Sequence, residues 1–359
     1  MIPRFETRLL FILMSLLGCR DTSDSVPTES VVQTKSEPLS HRVLDVPQDR
    51  IFVGGRGVEL IDAAAGQAVG GLDWKTEISH LRFTQNGLRA FAGSSLGVFE
   101  FDPHKLELRH VFTTAKVVSI RLATDDDKLF VLEAASEAVE TSRTNSSVRL
   151  KVFDLANNVL LGTHQLPKNV VDFVPARSST HFSIFQFDDG SIGVAKDFAV
   201  SKLRMLPKIK SRSRLFSSTT ASIVYLLERA KKSALIEIDD KTGKWKRVFS
   251  QEGMKFSDLS LTADGEQLLL VGKTQSLILK YPSYEVSRLL KTRLNHSQVV
   301  FSIDNRRLYY LELGEEQKSY INVLLLDGEK RQGQIPTEKI TGRIIAIQPR
   351  SEYAVMQTP

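Results

Sequence analysis

The side chains best suited to metal ligation or proton transfer are seven histidines, His41, His80, His104, His110, His164, His181 and His296. A metal centre needs several donors at short spacing. No such cluster forms, and even His104 and His110 are six residues apart across a strand turn. The run Asp125-Asp126-Asp127 concentrates charge that a hard cation could use. Its register matches acidic turns elsewhere in the chain, where a carboxylate simply accepts turn hydrogen bonds. No serine lies in a Gly-x-Ser-x-Gly elbow, and Gly54-Gly55-Arg56-Gly57 falls between two strand patterns rather than before a helix, so it reads as a turn and not as a phosphate loop. The expectation is no metal, no cofactor and no local catalytic residue. A catalytic site would have to assemble from dispersed residues that only the fold brings together.

The most suggestive charged stretch contains Lys202, Arg204, Lys208, Lys210, Arg212 and Arg214, with Lys196 before it and Arg229, Lys231 and Lys232 after it. It could face an anionic lipid or envelope polymer, or an acidic protein, through long-range attraction that salt weakens. The alternating Lys-x-Lys-x-Arg-x-Arg spacing equally suits a strand edge kept from pairing with other chains. Residues 133–147 form the longest insertion in the pattern and contain no aromatic side chain, which suits either a binding loop or an unstructured excursion.

The sole cysteine, Cys19, follows a start bearing Arg4 and Arg8 and an apolar run from Leu9 to Leu17. Nine helical residues reach roughly 14 Å at about 1.5 Å each, half of what a membrane span requires. The run reads as a signal peptide. Leu16-Leu17-Gly18-Cys19 resembles the lipobox of bacterial lipoproteins, although that pattern more often has a smaller residue where Leu17 stands. The resemblance implies cleavage between Gly18 and Cys19, a Cys19 carrying acyl chains such as palmitate, and anchoring in the bacterial cell envelope. Arg20, in place of an inner-membrane-retaining aspartate, is compatible with the outer membrane of a Gram-negative cell. Nucleic acid is not an expected partner for an exported chain. Residues 19–41, rich in Ser, Thr, Asp and Pro, bury little and read as a tether.

Residues 42–359 repeat with a period near forty residues. Each copy runs through an alternating strand, a polar turn, a second strand, a third ending in an acidic turn, and a fourth. Ile78 to Gly93 and Phe256 to Val271 superpose residue by residue, and weaker copies start near Val43, Val117, Val170, Ser213 and Gln298. Four-stranded units of this length are the dimension of a propeller blade. The turn Thr262-Ala263-Asp264-Gly265 and the strand end Ile238-Asp239-Asp240-Lys241-Thr242-Gly243 resemble the WD40 and YVTN repeats of bacterial β-propellers. The expected class is all-β, a β-propeller of seven blades, with eight as the alternative if the tail from Arg343 pairs with an N-terminal strand such as Ser30 to Gln33. One stretch, Val58 to Gly66 with Trp74 downstream, resembles the quinoprotein-type repeats of outer-membrane assembly lipoproteins.

These readings imply a tethered, non-enzymatic propeller that binds a protein or envelope polymer. The alternatives are a hydrolase or lyase of sugars or lactones with its site in the propeller funnel, and an accessory of outer-membrane protein assembly.

Overall fold

The computed structural model describes residues 49–134, 148–167, 169–196, 198, 202–206, 215–218, 221–229, 233–291, 294, 298–313, 319–337 and 344–350. Cys19, the tether, the strand expected near Val43 and most of the 133–147 insertion lie outside them.

The described residues from Asp49 onward form antiparallel sheets. The first comprises β1 (Arg50–Asp62), β2 (Gln67–Phe83), β3 (Ala90–Ser94), β4 (Gly97–Asp102) and β5 (Glu107–Thr113). The second comprises β6 (Val117–Leu122), β7 (Lys128–Ala134), β8 (Val148–Asp154) and β9 (Val159–Leu166). The third has β10 (Val170–Val174), β11 (Ser183–Phe187), β12 (Ile192–Ala195) and β13 (Arg204–Leu206), and the fourth β14 (Phe216–Ser217), β15 (Ile223–Arg229), β16 (Ser233–Asp239) and β17 (Trp245–Gln251). β18 (Phe256–Leu261), β19 (Gln267–Gly272), β20 (Ser276–Lys280) and β21 (Val286–Leu290) make the fifth. The sixth is β22 (Val299–Phe301), β23 (Arg307–Leu313), β24 (Ser319–Leu325) and β25 (Lys330–Pro336), and β26 (Ile344–Ile347) follows. Within each four-stranded sheet the spatial order is the chain order. No α-helix occurs among the described residues, and one three-residue 3₁₀ turn spans Asp327–Glu329.

The sequence pattern explains the regularity. The Oγ of Thr84, Thr262 and Ser302 each donates to the Oδ1 of Asn86, Asp264 and Asp304, and accepts from the amide of Arg89, Gln267 and Arg307. This Ser/Thr-x-Asp/Asn turn closes the first hairpin of its unit. The third strands end where Asp62, Asp102, Asp154 and Asp239 accept the amides that begin the next turn. The outer pair then carries a bulge, seen as register shifts in the β4–β5, β8–β9, β16–β17, β20–β21 and β24–β25 pairs.

Between the sheets lie seven buried apolar clusters among the described residues. One joins Phe91 and Val98 to Ile120 and Val131, another Leu132 and Leu150 to Phe173 and Phe185, so each stitches one unit to the next. At about 1.5–3 kcal/mol for each large aliphatic or aromatic side chain, these contacts between units outweigh the exposed ion pairs.

The two ends of the described chain meet. β26 pairs antiparallel with β1 from Ile51↔Ile347 to Gly54↔Ile344. Among the described residues the inner neighbour of this segment is thus the C-terminal strand, while the strand expected at Ser30 to Gln33 lies outside the described residues. The amide of Ala63 donates to the carbonyl of Asp49 at 3.0 Å, so β1 folds back on itself at Gly54-Gly55-Arg56-Gly57, the turn the sequence implies. A cluster of Ile51, Val53 and Ile61 with Tyr309, Ile321, Val323 and Ile345 seals the junction of the last strands with the first.

Candidate functional site

The strongest departure from this repeat lies in the outer half of the first sheet. β1 and β2 pair from Asp62↔Gln67 to Val58↔Leu72 with a single-residue bulge between Ile61↔Ala68 and Leu60↔Gly70, but Arg56 then pairs with Glu77. The segment from Asp73 to Thr76 is left as an excursion. Lys75 adopts φ 54° and its amide donates to Asp73 Oδ1 at 3.0 Å, an Asx-type turn inside a strand. Gly57, at φ 108°, permits the crossing: a Cβ there would lie 2.3 Å from the carbonyl oxygen of Leu72.

Two contacts pin the excursion to the adjoining unit. The Trp74 ring stacks on Phe99 at 5.2 Å and meets Phe101 edge-on at 5.5 Å. Thr76 Oγ1 lies 3.5 Å from Ser95 Oγ. Beside the excursion opens a cleft of about 540 Å³ lined by Arg56, Val58, Glu59, Leu72, Asp73 and Lys75, with the backbone of Gly71. Arg56, Asp73 and Lys75 are exposed, while Glu59 is only 1 % exposed. The cleft offers cationic and anionic groups around Val58 and Leu72, a lining suited to recognising a mixed polar and aliphatic segment.

The basic stretch meets a different environment. Lys202 is exposed. Arg204 donates to the carbonyl of Gly243 at 3.2 Å and lies over the Phe182 ring at 5.7 Å, with Lys196 at 5.4 Å from the same ring. Arg204 thus bridges two sheets. Lys208, Lys210, Arg212 and Arg214 lie outside the described residues, as do Gly18 and Cys19.

Buried ionisable groups elsewhere hold the sheets together. Asp172 on β10 accepts from Ser119 and Arg121 on β6 and from the Leu215 amide just before β14. Arg121 leads the influences that hold its carboxyl below the ordinary range despite the cost of burial. Asp49 accepts from Tyr309 at 2.9 Å across the closing junction, and burial pushes its pKa up. Asp240, also pushed up by burial, lies 3.3 Å from Arg177 and 3.8 Å from His181. Asp126 accepts from the Gln85 amide of the preceding unit. Burial first, then its neighbours Asp125 and Asp127, raise it to about 6. The acidic run is therefore a turn that clips two units, and no group of three metal-ligating side chains occurs among the described residues.

Sequence reasoning treated Arg56 as a turn residue and Trp74 as part of a repeat, and missed the cleft between them. The available signal was the length from Gln67 to Phe83, seventeen residues without a turn between two strands' worth of alternation.

No family model matches the chain, and no curated protein does. Solved structures do. A functionally unknown protein from Desulfotomaculum acetoxidans superposes with a TM-score of 0.62 at 10% identity, over 84% of this chain and 99% of its own. The β-propeller domain of Cps50 (Swd1) from Myceliophteria thermophila gives 0.56 at 12%, over 73% and 87%. Hsv2 from Kluyveromyces lactis gives 0.50 at 13%, over 70% and 74%. At these identities the likeness concerns the fold alone, and with the strand order and the β1–β26 junction it shows a β-propeller.

Proposed function

We propose that this protein is a seven-bladed propeller, tethered to a bacterial envelope membrane through lipidated Cys19, that holds a protein partner rather than turning over a substrate. The count of seven rests on treating the folded-back β1 as two strands and β2 as the last strand of one blade and the first of the next. The six-stranded sheet then holds two blades, the other sheets supply five, and seven apolar clusters match seven blade junctions.

The binding reading is carried by the cleft beside the Asp73–Thr76 excursion. A regular outer strand would satisfy the blade, yet here it is opened, and Trp74 fixes the opening against the next blade. Such a rigid opening lowers the ordering cost of capturing a partner's segment. The lipobox and the tether of residues 19–41 support presentation of this surface at a membrane, where two or more acyl chains give stable anchoring.

The test is cross-linking and purification of the native membrane-anchored protein beside a Cys19→Ser variant. A reproducible partner recovered from membranes, with the variant released from them, is the expected result. Unchanged membrane attachment of Cys19→Ser would overturn the tether, and absence of any partner would overturn the binding role and direct attention to small substrates in the funnel.

A further inference from the structure

The outer strands of the sheets are edges, with one row of backbone donors and acceptors facing away from the sheet, and charged residues commonly keep such edges from pairing. Most obey this rule: Lys75 on β2, Arg109 on β5, Arg204 on β13, Arg247 on β17, Arg288 on β21 and Arg331 on β25. β9, Val159-Leu160-Leu161-Gly162-Thr163-His164-Gln165-Leu166, has no Lys, Arg, Asp, Glu or Pro. Its first three residues are consecutive exposed aliphatics, at 48, 51 and 54 % exposure. The bulge of β9 does not set it apart, since other outer strands share it.

We propose that β9 is a self-association edge on which a second copy of this chain docks, β9 against β9 about a two-fold axis. A two-fold antiparallel pair sets a strand against itself read backward, so any charge of one sign meets its own kind. β13, β17, β21 and β25 carry cations only and would repel their own copies. The chain as a whole carries a net charge of +6, so two copies approach best through an edge that contributes nothing to that repulsion. The aliphatic Val159, Leu160 and Leu161 supply area to bury, and the segment Gly162–Gln165 beyond the bulge supplies backbone for pairing. This inference is independent of the tether and of the cleft.

The test is sedimentation equilibrium of the purified full-length chain, with Leu160→Lys on β9 and Val286→Lys on β21 as a matched control. A dimer for the parent and for Val286→Lys, with association weakened by at least about tenfold in Leu160→Lys at unchanged circular dichroism, is expected. If Leu160→Lys misfolds, Thr163→Cys in a Cys19→Ser background decides the matter: a short bis-maleimide should link two chains through position 163. A monomer at all concentrations, a dimer indifferent to Leu160→Lys, or no linkage at 163 would each overturn the proposal.

Discussion

Arg121 on β6 and Asp172 on β10 stand 2.8 Å apart, joining the innermost strands of two consecutive blades. Arg121 also donates to the carbonyl oxygens of Phe173 and Leu215, so the pair draws a third inner strand into the same network. Both side chains are largely withdrawn from solvent, at 14 and 11 % exposure. A charge pair this dry is tolerable only because its remaining lone pairs and protons find partners.

Asp172→Ala should therefore destabilise the propeller by about 3–5 kcal/mol, because it strands the Arg121 guanidinium. Denaturant unfolding checks this. The native carboxyl titrates below its ordinary value of 3.8, so it contributes stability that is full above that pH and lost as pH falls through the lower native value. Acid unfolding of Asp172→Asn should accordingly be shallower below pH 3.8 than that of the parent.

Asp126 has the opposite sign. Its pKa is raised to about 6, so the folded state holds the proton more tightly than the unfolded chain. The stability it contributes is full below pH 3.8 and is lost as pH rises to about 6. Asp126→Asn retains an acceptor for the Gln85 amide and suits the positive φ of 56° at this position. The side chain is part-exposed and screened, so the gain at pH 7 should stay below about 1 kcal/mol. Thermal melts from pH 4 to 7 should lose the part of their slope due to this group.

Much of this architecture was legible in the sequence. The third strands expected at Gly97 to Phe101, Val148 to Phe153 and Ser276 to Lys280 appear at those places to within a residue. Period-two alternation and Asp-containing turns are local signals, and a repeat multiplies them. The closing strand was less legible. Ile344–Ile347 reads equally well as the start of another blade, and its pairing with Ile51–Gly54 is a contact across nearly the whole chain. The cleft was invisible for the same reason: the jump from Val58↔Leu72 to Arg56↔Glu77 is a property of register, which alternation on one strand cannot report.

The closing junction yields a further test. Gln348 donates to the Gly87 carbonyl at 2.7 Å, and a Cβ on Gly87, itself at φ 67°, would lie 2.2 Å from the carbonyl oxygen of Pro349. Gly87→Ala should cost about 1–3 kcal/mol by overpacking, with strain at positive φ added. Removal of residues from 344 onward should do more, leaving β1 without its inner partner and the unfolding transition broad. Calorimetry distinguishes the two.

Tyr309→Phe isolates the contact between the first strand and the last blade. The hydroxyl is the donor to Asp49 Oδ2, and Asp49 is fully buried. The variant should lose about 1–3 kcal/mol, the cost of an unsatisfied buried acceptor. Urea denaturation at neutral pH measures it.

The central claim, that the cleft of the first blade holds a protein partner at the membrane, is tested most directly by reversing its charge. Partner recovery after cross-linking would be quantified for the parent and for the double variant Arg56→Glu/Lys75→Glu, both anchored and equally abundant. The account predicts the same partner in the parent and a loss of at least about tenfold in the variant, as expected when two cations at a binding site are inverted. Equal recovery from both would contradict it.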